Sequence, residues 1–309
     1  MILKPHKRLI SILESRGYDV NNKSYGDFND SIFEIFDFGL NNHKGGSRNP
    51  TDYKSRFKDI ISDPNNLFIK RHTDAGKIEN GLITLHNGLK LYSEYYGDFI
   101  QILKYNYGVH EPSEERAFAK VLSVLKKNSI MVELGSYWSM YSVWFMSTVQ
   151  DGKSYCIESD IENLNLGKKN FKLNGFESNF FRGKISPGEF ELNKFFLDQN
   201  IDNLDILHSD IQGDELYMLE TIHEYLRCKK IKYVFISTHS DIIHYSCIER
   251  LKSVDYKILC SCDFETESFQ FDGFILSCPN ELNQIEPFKV GNRKTTPIIS
   301  DEEYSDSII

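Results

Sequence analysis

Ile130-Met131-Val132-Glu133-Leu134-Gly135-Ser136 is an apolar run that closes on an acid and a glycine, and a helix-like segment from Tyr141 to Val149 follows it. A buried strand that turns through Gly into a helix is the opening of a nucleotide-binding βαβ unit. The N-terminus of the following helix would present unbonded N–H groups to a ligand. A single Gly turn is weak evidence, because many strand-to-helix turns need Gly for backbone reasons alone. The rest of the chain strengthens it: three later strand-like runs also end in polar residues, at Glu158, Asp210 and His239.

Downstream, the hydrophobic period alternates between two and 3.6. Strand 130–135 leads to helix 139–149, strand 154–158 to helix 160–173, and strand 179–185 to a helix starting near Pro187. Strand 204–210 leads to helix 214–227, with Leu216, Leu219, Ile222 and Leu226 on one face, and strand 232–238 to helix 242–253. Two strand-like runs, 256–262 and 269–277, close the series without a helix between them. Successive βα units ending in an antiparallel pair predict an α/β fold: a doubly wound, mostly parallel sheet with helices on both faces.

Upstream, Leu82 to His86, Asn87-Gly88, and Leu89 to Tyr92 read as a hairpin with a two-residue turn. A helix is expected from Pro112, with Glu114 and Glu115 at its positive end and Phe118, Val121, Leu122 and Leu125 at helical spacing. Residues 1–66 are polar and turn-rich. They read as an accessory region, in part disordered, with one amphipathic element over Phe28, Ile32, Phe33, Ile35, Phe36 and Phe38 and a loop at 41–50. The expected divisions are 1–66 accessory, 67–128 lead-in hairpin and helix, 129–290 catalytic domain, and 291–309 a mobile tail.

At 309 residues, with 40% hydrophobic content, the chain can bury a full core. A net charge of -9 argues against a nucleic-acid partner. No apolar run reaches the roughly 18 residues of a membrane span, and the N-terminus lacks the apolar core of a signal peptide. The six cysteines form no C-x-x-C pair and read as packed, reduced thiols, so a cytoplasmic location is expected. Cys260 and Cys262 share one strand face, where core packing is preferred over a metal site.

In open α/β sheets, ligands bind beyond the carboxyl ends of the strands. Glu158 follows Gly135 by roughly the 20 residues expected of an acid that binds ribose hydroxyls, and a carboxylate can accept both hydrogen bonds of a vicinal diol. Its alternative role is to cap the next helix. Gly135-Ser-Tyr-Trp-Ser-Met lacks the later glycines of a dinucleotide turn, and Tyr137 and Trp138 would obstruct a pyrophosphate. A ribose without pyrophosphate suits S-adenosylmethionine. Asp210 could orient a substrate, act as a base or bind a metal, and His239 has an ordinary pKa suited to a general base. Asp214 and Glu215 have a simpler reading as acids that complement a helix dipole. His208 reads as a core histidine, and His244 as a packing or surface residue.

Val132-Glu133-Leu134-Gly135-Ser136, Ile157-Glu158-Ser159-Asp160, Gly167 to Gly175, and Asp205 to Glu215 resemble, in order and spacing, the FkbM family of S-adenosylmethionine-dependent O-methyltransferases. Gly108 to Pro112 and Thr238-His239 are similar too, so the resemblance spans about residues 80–279. It implies a class I methyltransferase (Rossmann-like) fold and methylation of a hydroxyl, often on a sugar or polyketide. Two departures stand out. The first motif is poorer in glycine than the family's, and the family's Asp-Val-Glu-Gly is here Asp210-Ile211-Gln212-Gly213, so no role passes to Gln212.

The expected mechanism places the acceptor oxygen about 3 Å from the methyl carbon. Asp210 and His239 form the catalytic pair, and Glu133, Gly135, Ser136, Tyr137 and Glu158 hold the cofactor. A second version puts Mg²⁺ at Asp210 and Asp214, since carboxylates suit a hard cation. The partner is a small-molecule or glycan hydroxyl, and residues 1–66 are expected to shape the acceptor site or a homo-oligomer contact. The rivals are a non-catalytic methyltransferase-like binding module and an NAD-dependent reductase.

Overall fold

The computed structural model describes residues 7–37, 52–94 and 97–308. Two compact units emerge. One joins residues 1–118 to 262–271 and 288–309; the other joins 119–261 to 272–287. These units do not coincide with the divisions expected at 66, 128 and 290, because they are drawn by contacts between segments far apart in sequence.

The second unit holds a seven-stranded sheet. Its strands are β4 (Ile130–Leu134), β5 (Lys153–Glu158), β6 (Asn179–Arg182), β7 (Leu204–Ser209), β8 (Ile231–Thr238), β9 (Tyr256–Cys262) and β10 (Gly273–Pro279). They run in the order β6-β5-β4-β7-β8-β10-β9. Neighbours from β6 to β8 are parallel. β10 pairs antiparallel with β8, Ile275 opposite Ile236. The two last strands close the sheet as the expected pair, with β10 lying between β8 and β9. The result is a doubly wound, Rossmann-like, mostly parallel sheet. Its order reverses at β4, which has β5 on one side and β7 on the other. That reversal opens the crevice in which such sheets take ligands.

β4 and β7 are buried along nearly their whole length, which explains why β4 reads as a near-continuous apolar run rather than an alternating one. Val132, Leu134, Leu207, Val234 and Ile236 share one core with Leu219, Ile222 and Leu226 of the expected helix 214–227. That helix is two, Glu215–Thr221 and His223–Arg227, broken at Ile222. The helix expected from near Pro187 begins later, at Leu192.

The first unit holds a small antiparallel sheet of β1 (Ile78–Glu79), β2 (Leu82–Thr84) and β3 (Lys90–Tyr92). Leu82 lies opposite Tyr92, one residue out of register with a two-residue Asn-Gly turn. The loop is His86-Asn87-Gly88, closed by Gly88 N–H to Leu85 O (3.0 Å) and Leu85 N–H to Leu89 O (2.8 Å), with Gly88 at φ 88°. This is a three-residue turn ending in a left-handed glycine bulge.

The N-terminal region is less disordered than its polarity suggested. Helix Lys7–Ser15 buries Leu9, Ile10, Ile12 and Leu13, and these pack with Val20, Phe28, Ile32, Phe33, Phe36 and Leu67. Four apolar residues at helical spacing are enough to build a core face, whatever the polarity of the other faces. Phe38 and the loop at 41–50 lie outside the described residues. The tail expected to be mobile forms a helix, Asp301–Ile308, and buries Ile298, Ile299 and Tyr304.

Candidate active site

The turn after β4 is tightly held. Gly135 has φ 69°, and a Cβ there would lie 1.8 Å from the Asp210 carbonyl oxygen, so only glycine fits. Two further left-handed residues follow, Tyr137 (φ 42°) and Ser139 (φ 61°). The turn keeps a glycine-type backbone path without the later glycines. Such a conformation costs an L-residue roughly 1–2 kcal/mol, and it persists because the neighbours impose it. Gly135 and Ser136 both donate their N–H to Ile157 O (2.9 and 3.1 Å), and Ser139 N–H bonds Ser136 O (2.5 Å). Tyr137 N–H donates to Glu158 Oε2 at 2.8 Å. Asn170 Nδ2 donates to Trp138 O at 2.9 Å, and Gly167 lets helix Ile161–Leu173 approach Ser139.

Glu158 therefore ties the turn together. Its other oxygen accepts from Asp160 N–H (2.8 Å) and the Ser159 hydroxyl (3.2 Å). The cap of the following helix is Asp160, which accepts from Glu162 and Asn163 N–H. Glu133, also buried, accepts from Ser142 N–H at 3.2 Å, in the first turn of helix Met140–Thr148.

Asp210 and His239 meet, as adjacent parallel strands allow. His239 Nε2 lies 3.3 Å from Asp210 Oδ1. Two residues complete the cluster: Glu215, read from the sequence as complementing the helix dipole, and Asp272, which that reading did not single out. Glu215 Oε1 lies 2.7 Å from His239 Nδ1, and Asp272 Oδ1 lies 3.3 Å from Nε2. Glu215 Oε1 also accepts from Gly213 N–H at 2.9 Å. Glu215 is fully buried, whereas the Asp210 side chain is 34% exposed. Gln212, at φ 60°, brings its amide to 3.3 Å from Asp210 Oδ1.

These carboxylates correct the expected titration. Burial disfavours a charged imidazole, but hydrogen bonding to Asp210 and Glu215, with the nearby charge of Asp272, outweighs it and pushes His239 up to about 11. An imidazolium has no lone pair to accept a proton, so the direction of this shift weighs against His239 as the base.

Glu215 had a signal in the sequence. It lies four residues before Leu219 and seven before Ile222, on the apolar face of its helix, so burial was legible there. Asp272 had none: 269–277 read as one strand, but β10 begins only at Gly273. His208 is a core residue, its ring 4.3 Å from that of Tyr141, and His244 is buried with Nδ1 2.9 Å from Thr238 Oγ1. Asp214 precedes helix Glu215–Thr221 without a side-chain cap bond. Among the described residues, no group of three or more His, Cys, Asp or Glu side chains could hold a metal ion.

A ribose-bearing cofactor fits this turn in part. A carboxylate offers about four acceptor positions, and Glu158 already fills three, leaving one for a ribose hydroxyl rather than the two expected. Among the described residues, the buried Ser136 hydroxyl has no hydrogen-bond partner. It is placed to supply a second contact. The amides at 135, 136, 137 and 139 are all taken within the protein, so side chains rather than the turn backbone must hold the remainder of such a ligand.

No family model matches the chain, and no curated protein does. Several solved structures are similar to it in part. Precorrin-6y C5,15-methyltransferase from Geobacter metallireducens GS-15 is 13% identical over 52% of this chain and 86% of that one, with a TM-score of 0.40. TrmK of M. capricolum, in complex with S-adenosyl-homocysteine, is 16% identical over 54% and 71%, with a TM-score of 0.39. A putative rRNA-methylase from Clostridium thermocellum is 9% identical over 54% and 94%, with a TM-score of 0.43. Likeness at this level says nothing of what this chain acts on.

Proposed function

We propose that the chain is an S-adenosylmethionine-dependent O-methyltransferase of the FkbM kind, acting on a hydroxyl of a sugar or glycan. The observation that carries this reading is the Asp210–His239–Glu215–Asp272 cluster at the carboxyl edge of the sheet, following the strand whose partner β4 opens the Gly135 turn. Glu158 and Ser136 would hold the ribose, with Glu133 and Tyr137 shaping the turn. When bound, the cofactor supplies an electrophilic methyl group. The chain's own part is to orient the acceptor and take its proton. Asp210, partly exposed and steadied by His239, is the residue placed to accept that proton as the oxygen attacks. The net negative charge of the cluster suits a neutral polyol better than a phosphodiester.

The test pairs binding with turnover. S-adenosylhomocysteine should raise the melting temperature while NAD does not, because a ligand that binds only the native state stabilises it. Methyl transfer from labelled cofactor to a panel of sugars should then give an alkali-stable ether. A shift with NAD alone would end the proposal. The occupied amides of the turn favour a second reading, a non-catalytic binding module. No cofactor heat in calorimetry, with glycan binding retained, would select it.

A further inference from the structure

We propose that Glu215 is the positioning residue of this site. Through Nδ1 it fixes His239 as an imidazolium whose Nε2–H lies between Asp210 and Asp272, so that a carboxylate and not the imidazole receives the acceptor's proton. The link to turnover rests on the methyltransferase reading; the charge state of His239 does not.

The argument is geometric. Both ring nitrogens of His239 face carboxylate oxygens, Nδ1 at 2.7 Å from Glu215 and Nε2 at 3.3 Å from both Asp210 and Asp272. A neutral imidazole has one N–H and one lone pair. Either neutral tautomer would therefore aim a lone pair at a carboxylate, a repulsive contact. The doubly protonated ring meets a carboxylate at both nitrogens, through a hydrogen bond at Nδ1 and through charge at Nε2.

The three acids are not equivalent. Glu215 is fully buried and rigidly placed at the start of its helix, with Oε1 shared between His239 Nδ1 and Gly213 N–H. It touches only the far side of the ring from Asp210 and Asp272, so it acts through His239. Asp210 and Asp272 retain exposed surface and can meet an acceptor. The groups facing His239 are Asp210 at the end of β7, Glu215 on helix Glu215–Thr221, and Asp272 just before β10. On its own strand and the following helix, Thr238 and His244 bond each other. Cys247, near Glu215, is held neutral by burial, which pushes its thiol up to about 12. The high proton affinity of His239 agrees with this arrangement.

The experiment is histidine-ring NMR on the full chain, without cofactor or acceptor, with the His239 signal assigned by its loss in His239→Gln. In the native protein the ring should stay in its imidazolium form from pH 6 to 9. Glu215→Gln should lower its proton affinity at least tenfold, and Glu215→Asp, which keeps the charge but shortens the reach, should fall between. A second readout is kinetic: Glu215→Gln should lower kcat with little change in KM, and should give turnover a pH dependence across neutrality that the native enzyme lacks. A native His239 that titrates near its ordinary value overturns the proposal, and so does a folded Glu215→Gln whose ring stays locked. If Glu215→Gln does not fold, the native titration and Glu215→Asp decide it. Failure of cofactor binding would overturn the methyltransferase reading and leave the NMR result standing.

Discussion

The chain builds two clusters of histidine and carboxylate with different proportions. In the first unit two carboxylates serve two imidazoles: Glu115 lies 2.9 Å from His86 Nδ1 and 3.0 Å from His110 Nδ1, and Glu111 lies 3.2 Å from His110 Nε2. Glu115 also accepts from the backbone N–H of His110 and Glu111. In the second unit one imidazole serves three carboxylates. The first cluster is buried and carries backbone bonds that fix the hairpin loop to the start of helix Pro112–Leu122. The second is open on the Asp210 side and sits at strand ends. Burial marks a structural clamp, because a closed group has little left to offer a ligand. Partial exposure with excess acceptors marks a site.

Removing Glu115 should break the clamp and give the largest effect. Glu115→Ala leaves two buried histidines and two backbone N–H groups without their acceptor, and is expected to destabilise the fold by about 3–5 kcal/mol. Urea unfolding measures this, and a loss under about 1 kcal/mol would erase the contrast between the clusters.

In the open cluster the effect should fall on activity. Asp210→Asn keeps the shape but removes the charge, and should lower turnover by roughly 10²-fold or more. S-adenosylhomocysteine affinity and stability should stay close to native. A variant that unfolds, with no separate effect on turnover, would make this cluster a clamp as well.

The clamp should also show in the pH dependence of stability. Burial disfavours charge on Glu115, but bonds from His110 and His86 outweigh it and hold its pKa below 4.5. Burial likewise disfavours charge on His110, but Glu111 and Glu115 outweigh it and hold its pKa well above 6.5. A lowered acid contributes stability above its unfolded pKa and loses it as pH falls through the folded value. A raised histidine contributes fully below its unfolded pKa and loses it as pH rises through the folded value. The clamp's contribution is therefore complete between 4.5 and 6.5. Subtracting the pH–stability curve of Glu115→Ala from that of the native chain should give a plateau in this window that declines on both sides. A flat difference curve would show that His110 is not charged in the fold.

The smallest effect is expected at the turn. Ser139→Gly relieves a left-handed serine and should raise stability by up to about 1 kcal/mol, read as a rise in melting temperature. A fall would mean that Ser139 packing against Gly167 outweighs the strain.

Much of the fold was legible because periodicity follows directly from burial. β4 to β8 and their helices lie within a few residues of their expected positions, because each carries enough apolar residues at its own period to mark the face it buries. The hairpin was legible in kind but not in register: Asn-Gly permits a two-residue turn, yet Gly88 closes a three-residue one. The N-terminal core was legible in part: Phe28, Ile32, Phe33 and Phe36 of the expected amphipathic element lie in it, whereas Leu9, Ile10, Ile12 and Leu13 are spread among polar residues and were not singled out. Asp210 and His239 were found together because each ends a strand, and neighbouring strands lie about 4.8 Å apart.

The sequence by itself determined the alternation of strands and helices, the glycine at 135 and the polar residues at strand ends, since each is written in a local pattern. Only the tertiary structure decided that β10 enters between β8 and β9, that Glu158 ties its own turn, and that three carboxylates surround His239. Those outcomes depend on which distant groups are brought within about 3 Å, where a hydrogen bond or a charge takes effect. Proton affinity is set by the sum of such neighbours, and Glu215 and Asp272 join His239 only once the strands have been ordered.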